Sequence, residues 1–444
     1  MRKELPKVFI KTIKHFFPDL SDWLSKVKDK RDQSKILYSK RKLLWEGLSL
    51  YVFKIKTRRS INYRFNTEEF VKNISFLVEE DVTKISHHDT LNNFLKKVDW
   101  EELEECKYAM INTLIRNKVL EKERLFGNYY AIAIDGTGMI SFSTRHCDKC
   151  LTRKLSSGEI LYYHNVVEAK LVTPSGLALS IATDFMENMP SRDKQVRQGG
   201  SALGTNCELT AFKRLAPKIK KMFPQLKICM LGDALYAVKP VFDICNKYNW
   251  NFIFTFKEGR SSDIYSEYGK LKNIEDQNRL NIDTDEKIKQ EYAWVNGIDY
   301  QGLSLNVTEC VEYNKNNCKT IPFVYITNFM VNKDNCCIIS QGGRLRHKIE
   351  NQGFNTQKNE GYNLEHVFSI HPQASKNFYM LMQIAHLFNQ LFERGSLLKN
   401  VKQIFGSIEN LTRELLETFR NFLIDKNLLE SEIACSFQIR IGVT

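Results

Sequence analysis

The feature that most restricts how this chain can fold is a change of hydrophobic period at residue 129. Before it, apolar residues recur at three- and four-residue steps, the spacing of helices with one buried face. Leu43, Leu44, Leu48 and Tyr51 follow this step, as do Leu91, Phe94, Leu95 and Val98, then Leu103, Tyr108, Ile111, Leu114 and Ile115. Ser86 and Asp89 are candidate caps for the second of these runs. After it, YYAIAIDGTG reads as a buried strand of small and β-branched residues ending at Asp135-Gly136, and GMISFS as a second strand. A polar loop with two cysteines separates these from a third strand, ILYYHNVVEAKLVTPSG, and LALSIATDF is a candidate fourth.

Further along, CELTAFKRLAPKIKKMF reads as a helix, KICMLGD as a short buried strand ending at Asp233, LYAVKPVFDICNKYN as a helix and NFIFTF as a strand. Residues 260–340 alternate apolar and polar side chains in YAWVNGIDYQGLSLNVTECVEY and TIPFVYITNF, the pattern of antiparallel strands. Helices are expected at about 343–357, 375–394 and, as a pair, 407–427. The chain therefore divides into a helical basic region (1–125), an α/β core (126–259 and 341–400), a β-rich insertion (260–340) and a C-terminal helical segment (401–444).

Charge adds a partner class. Lys and Arg exceed Asp and Glu by 65 to 52, a net +13. Residues 1–60 hold 17 basic and 6 acidic residues, or +11 of that excess. Such asymmetry points to a polyanion, nucleic acid before a membrane surface, with a solvated helical surface as the plain alternative. With 43% hydrophobic residues the chain is neither disordered nor fibrous. Eleven scattered cysteines fit a reducing compartment. The basic start MRKELPKVFIKTIKHFF lacks the apolar core of a signal peptide, and Glu46 interrupts the apolar stretch 43–53. A cytoplasmic, nucleoid-associated protein without membrane contact is expected.

Three acids carry the chemical reading: Asp135 and Asp233 at strand ends, and Glu350 in the helix after the insertion. Singly, an Asp-Gly is usually a turn and a helical Glu usually solvated surface. Brought together, they would repel unless cations lay between them, and hard oxygen donors suit Mg2+ or Mn2+.

The order of strands and helices after residue 129 is that of a ribonuclease H-like domain. The pieces AIAIDGTG, NCELTAFKRL, MLGDALYA and RLRHKIENQGFNTQKNEG, spread over residues 129–394, resemble a DDE-type insertion-sequence transposase. They are similar to the class with a β insertion before the last acid and a Tyr-Arg-Glu-Lys signature around it. The resemblance implies a ribonuclease H-like mixed sheet with flanking helices, and Asp135, Asp233 and Glu350 as ligands of two Mg2+ ions that Mn2+ can replace. It implies cleavage of double-stranded element ends, joining of the 3′-hydroxyl to target DNA, and a homodimer in the synaptic complex. Arg346, four residues before Glu350, stands at the signature arginine and is expected to contact DNA, or else to form a simple i,i+4 ion pair. Gly343 stands where the tyrosine is expected and Gln357 where the lysine is, with Lys358 one residue late as the second DNA contact. A nuclease without strand transfer and a decayed DNA-binding descendant stay open.

Several residues fall outside that signature. Cys147 and Cys150, with His146 and His164, leave two readings: two free thiols, which a lone CxxC favours, or a tetrahedral Zn2+ clip that orders the loop. Cys336-Cys337 reads as an ordinary pair. Glu208 opens a helix, where acids are favoured whatever their function. Tyr292 and Trp294 are either core of a small sheet or stacking surfaces for a flipped base. Arg192, Lys194 and Arg197, and Arg153 with Lys154, either track phosphates or are solvated loops.

Overall fold

The computed structural model describes residues 2–188, 207–275, 277–283, 288–315, 319–398, 401–435 and 437–442. The loop arginines and lysine at 192, 194 and 197 lie outside the described residues. The fold is mixed α/β. The described strands are β1 (Tyr130–Phe142), β2 (Leu151–Lys154), β3 (Ile160–Val172), β4 (Ala178–Met186), β5 (Ile228–Gly232), β6 (Asn251–Thr255), β7 (Arg279–Asp283), β8 (Ile288–Tyr300), β9 (Leu303–Asn314) and β10 (Lys319–Thr327). All join one open sheet in the order β2-β3-β1-β5-β6-β10-β9-β8-β7, with β4 added on β3. The β1–β5 and β5–β6 pairs are parallel and the rest antiparallel.

Alternation explains how the sheet is buried on both faces. Ile132 and Ile134 of β1, Met230 of β5, and Phe252 and Phe254 of β6 enter one hydrophobic cluster. The intervening Ala131, Ala133, Cys229, Leu231 and Ile253 enter a second. A period of two sends successive side chains to opposite faces, and both faces here have cover.

The two strands expected around Asp135 are one. β1 runs unbroken through Gly136 and Gly138 because β3, equally long, pairs with it on both sides of them: Asp135 faces Glu168, Gly136 faces Val167, Gly138 faces Asn165. Neither glycine takes a positive φ, so the Asp-Gly forms no turn. Asp135 is therefore within a strand rather than at its end. It stands beyond the β5 pairing, which covers only Tyr130–Ala133 of β1.

The β-rich stretch does not form a sheet of its own. β10 pairs with β6 (Tyr325 against Thr255), and β9, β8 and β7 extend the same sheet. Tyr292 and Trp294 are buried in the second cluster.

The basic N-terminal stretch is built into the core. Helices Leu5–Phe16, Leu20–Lys26, Lys40–Val52, Glu68–Val78, His88–Leu95 and Trp100–Arg116 precede the sheet. Several surround the long helix Pro372–Arg394, with Phe9 against Phe392 at 5.3 Å and Trp45 stacked on Phe388 at 5.8 Å. Leu5, Phe9, Leu43 and Leu48 share a hydrophobic cluster with Ile132 of the sheet. Much of its positive charge is answered internally: Lys7 and Lys11 pair with Glu432, Arg41 with Glu80, and Lys42 with buried Glu46. Helix Ile408–Asn421 packs back here too, where Asn73 donates to the carbonyls of Phe419 and Phe422. No helix among the described residues is long and apolar enough to cross a membrane.

Candidate active site at the ends of the parallel strands

β5 stops at Gly232, so Asp233 emerges where β1 has lost its parallel neighbour, beside Asp135. The carboxyl ends of parallel strands are a recurrent place for sites in open sheets. Asp233 is held by its own turn, its Oδ1 accepting from the Leu235 N–H at 2.9 Å. Asp135 Oδ1 accepts from the Gly136 N–H at 2.9 Å. Its other oxygen lies 3.2 Å from Arg346 Nη1.

Arg346 and Glu350 come from the chain after the sheet. Helix Cys336–Arg344 is followed by a short turn and then by a π-helical segment, Ile349–Asn355, which carries Glu350. Such wide turns are rare and gather at functional sites. The Arg346 guanidinium bridges the two acids, its Nη2 lying 4.0 Å from Glu350 Oε2. The Glu350 side chain is 60% exposed.

A fourth carboxylate completes the group. Glu208, at the start of helix Glu208–Met222, reaches over Gly136 so closely that a Cβ there would lie 2.6 Å from its Oε1. Only glycine leaves this space. The Tyr236 hydroxyl donates to Glu208 Oε2 at 3.4 Å. The sequence signal for this contact is the glycine itself, in the middle of a strand, which marks close approach of another group.

The electrostatics follow from crowding. Burial, helped by Asp233 and Glu350, pushes the Asp135 carboxyl up to about 6 against the pull of Arg346 and the Gly136 N–H. Burial likewise raises Glu208 to about 6, with Asp135 and Asp233 adding to the effect. Desolvation and like charges both disfavour the ionised form. The donors are hard oxygens, as Mg2+ or Mn2+ requires, and a cation would relieve the repulsion. They are not closed around one centre, since no three of them have ligand atoms within 4.8 Å of one another.

The rest of the expected signature is placed differently. At Gly343 the ring of Tyr325 fills the space that a side chain would occupy, so no tyrosine fits. Gln357 is fully buried, donating to Gln383 Oε1 at 2.9 Å and lying 2.9 Å from His386 Nδ1. Lys358 pairs with Glu365 at 2.9 Å. Cys336 and Cys337 stand 3.9 Å apart at the start of their helix. His146, Cys147, Cys150 and His164 do come together, away from the carboxylates. No protein-family model matches the chain, and no curated protein does.

Proposed function

We propose that the chain is a metal-dependent enzyme of phosphodiester chemistry on a ribonuclease H-like core. More particularly, it is a DNA transposase that binds the ends of an insertion element, cleaves them and joins the 3′-hydroxyl to target DNA. The observation that carries this reading is the meeting of Asp135, Asp233 and Glu350, with Arg346, beside the end of β5. The strand order β4-β3-β1-β5-β6, with β3 antiparallel to β1 and β5 and β6 parallel to it, supports the ribonuclease H-like assignment.

Asp135, Asp233 and Glu350 would hold Mg2+ or Mn2+, which supplies charge stabilisation to the attacking and leaving oxygens. The chain's own groups do the positioning. Arg346 already spans two acids, and its planar fork suits a phosphate next to the scissile bond. Glu208, raised to about 6, can exchange a proton at the site near neutral pH. Exposed Arg153 and Lys154 on β2 offer phosphate contacts to duplex DNA. Two chains acting on two ends would form a homodimer in the synaptic complex.

Incubating the chain with labelled end DNA and Mg2+ tests the reading. Nicked ends and joined products support transposition. Nicks without joining would make it a nuclease, and binding without nicks a decayed descendant.

A further inference from the structure

β1 ends at Phe142 and β2 begins at Leu151, and the loop between them contains Arg145, His146, Cys147, Asp148, Lys149 and Cys150. It has almost no apolar surface of its own to bury, yet Cys150 is only 1% exposed. The reason is a cluster with β3. Cys147 Sγ lies 3.5 Å from Cys150 Sγ and 3.4 Å from His164 Nε2. Cys150 Sγ lies 3.2 Å from His146 Nδ1 and 3.5 Å from His164 Nε2. All four donor atoms fall within 4.8 Å of one another.

These lengths are the edges of a coordination tetrahedron. Zinc–sulfur bonds of about 2.3 Å and zinc–nitrogen bonds of about 2.0 Å at tetrahedral angles give edges of about 3.8 Å between sulfurs and about 3.6 Å between sulfur and nitrogen. The observed edges match these to within a few tenths of an ångström. Hydrogen bonding alone explains the cluster less well, because Cys150 Sγ has three polar neighbours and a single S–H proton. Two thiolates and two neutral imidazoles would also cancel the charge of a divalent ion, which suits a half-buried place.

We propose that His146, Cys147, Cys150 and His164 form a closed, structural Zn2+ site. With all four positions filled by the protein, the ion has no open place for substrate. It pins the 143–150 loop to β3, and the loop in turn holds the end of β4: the Asn188 N–H donates to the Lys149 carbonyl, and Glu187 pairs with Lys149 and with Lys376 of the long helix. The site is independent of the acidic group and of the transposase reading.

The test is metal content in the full chain, purified reduced and without chelator, then repeated after adding Zn2+. About one zinc per chain is expected, and none in a Cys147→Ser, Cys150→Ser double variant. A Cys336→Ser, Cys337→Ser variant should keep its zinc. Replacing the ion by Co2+ in the wild type should give the intense visible bands of a tetrahedral site with a sulfur-to-cobalt charge-transfer band. Reduced wild-type chain that takes up no zinc would overturn the proposal, as would a weak octahedral cobalt spectrum or zinc retained by the 147/150 variant. If that variant fails to fold, the wild-type count and cobalt spectrum decide.

Discussion

Asp135 on β1 and Glu168 on β3 are direct neighbours across one strand pair, and the protein treats them in opposite ways. Glu168 is fully buried and its oxygens are answered by the chain: the hydroxyls of Ser180 and Thr183 at 2.5 Å each and of Tyr379 at 3.1 Å. Lys107 donates to the same Ser180 and Thr183, and Lys170 stands 3.8 Å from the carboxylate. Asp135 has one backbone N–H and one shared guanidinium, with three further carboxylates around it. A buried charge surrounded by donors is part of the structure. A cluster of acids short of donors is a candidate site for something from outside.

The widest separation between the two should come from alanine substitutions. Glu168→Ala leaves Lys170 and Lys107 buried without their carboxylate and is expected to cost about 3 to 5 kcal/mol of stability. Asp135→Ala should leave the melting temperature equal or higher. Thermal melts of both variants check this. Equal losses would erase the distinction drawn here.

Glu208 can be tested through its neighbour. Gly136→Ala places a methyl where the Glu208 carboxylate now sits. That carboxylate ends a flexible side chain, so it should swing away at little cost in stability. End cleavage should fall on the order of a hundredfold if Glu208 takes part, because small displacements at a reacting centre have effects of that size. Unchanged cleavage in a folded Gly136→Ala chain would remove Glu208 from the site.

A smaller effect is a pH-dependent stability difference. Asp135 titrates near 6 in the folded chain, above the ordinary carboxyl value of about 4. The folded state thus holds this proton more tightly than the unfolded state. The stabilisation from that proton is complete below about pH 4 and is lost as pH rises through about 6. Asp135→Asn, which never ionises, should exceed the wild type by about 2 to 3 kcal/mol at about pH 7.5 in chelator. The advantage should vanish near pH 4. Denaturant melts at the two pH values measure it, and a gap that does not change with pH would contradict the crowding described here.

The smallest effect concerns DNA outside the site. Replacing Arg153 and Lys154 by Ala should reduce the slope of log affinity against log salt by about 1 to 2. An unchanged slope would place the phosphate contacts elsewhere. Deleting residues 1–60 is no test of DNA affinity, because Leu5, Phe9, Leu43 and Leu48 belong to the core.

Much of the frame was legible in the sequence. The unbroken apolar runs AIAI and ICML mark strands buried on both faces, and Asp135, Asp233 and Glu350 stand out by their places relative to them. Other features were hidden because they depend on partners that the local sequence does not reveal. Asp-Gly looks like a turn until β3 pairs through it. Gly343 looks like a lost tyrosine until the ring of Tyr325 is seen over it, and nothing in the sequence singles out Glu365 as the ion-pair partner of Lys358. The N-terminal charge excess reads as unanswered in the sequence because some of its acidic partners, such as Glu80 and Glu432, lie outside the first 60 residues.

The role proposed for the acids beside β5 is phosphodiester chemistry on DNA. The most direct measurement is a gel assay on labelled DNA carrying the element ends, with binding and folding followed in parallel. Wild type should nick and join the ends in Mg2+ or Mn2+ and be silent in chelator. Asp135→Ala, Asp233→Ala and Glu350→Ala should each bind the DNA, remain folded and cut at least about a thousandfold more slowly, the loss expected for electrostatic stabilisation worth several kcal/mol. Folded variants of all three that cut at the wild-type rate, or cutting that persists in chelator, would contradict the account.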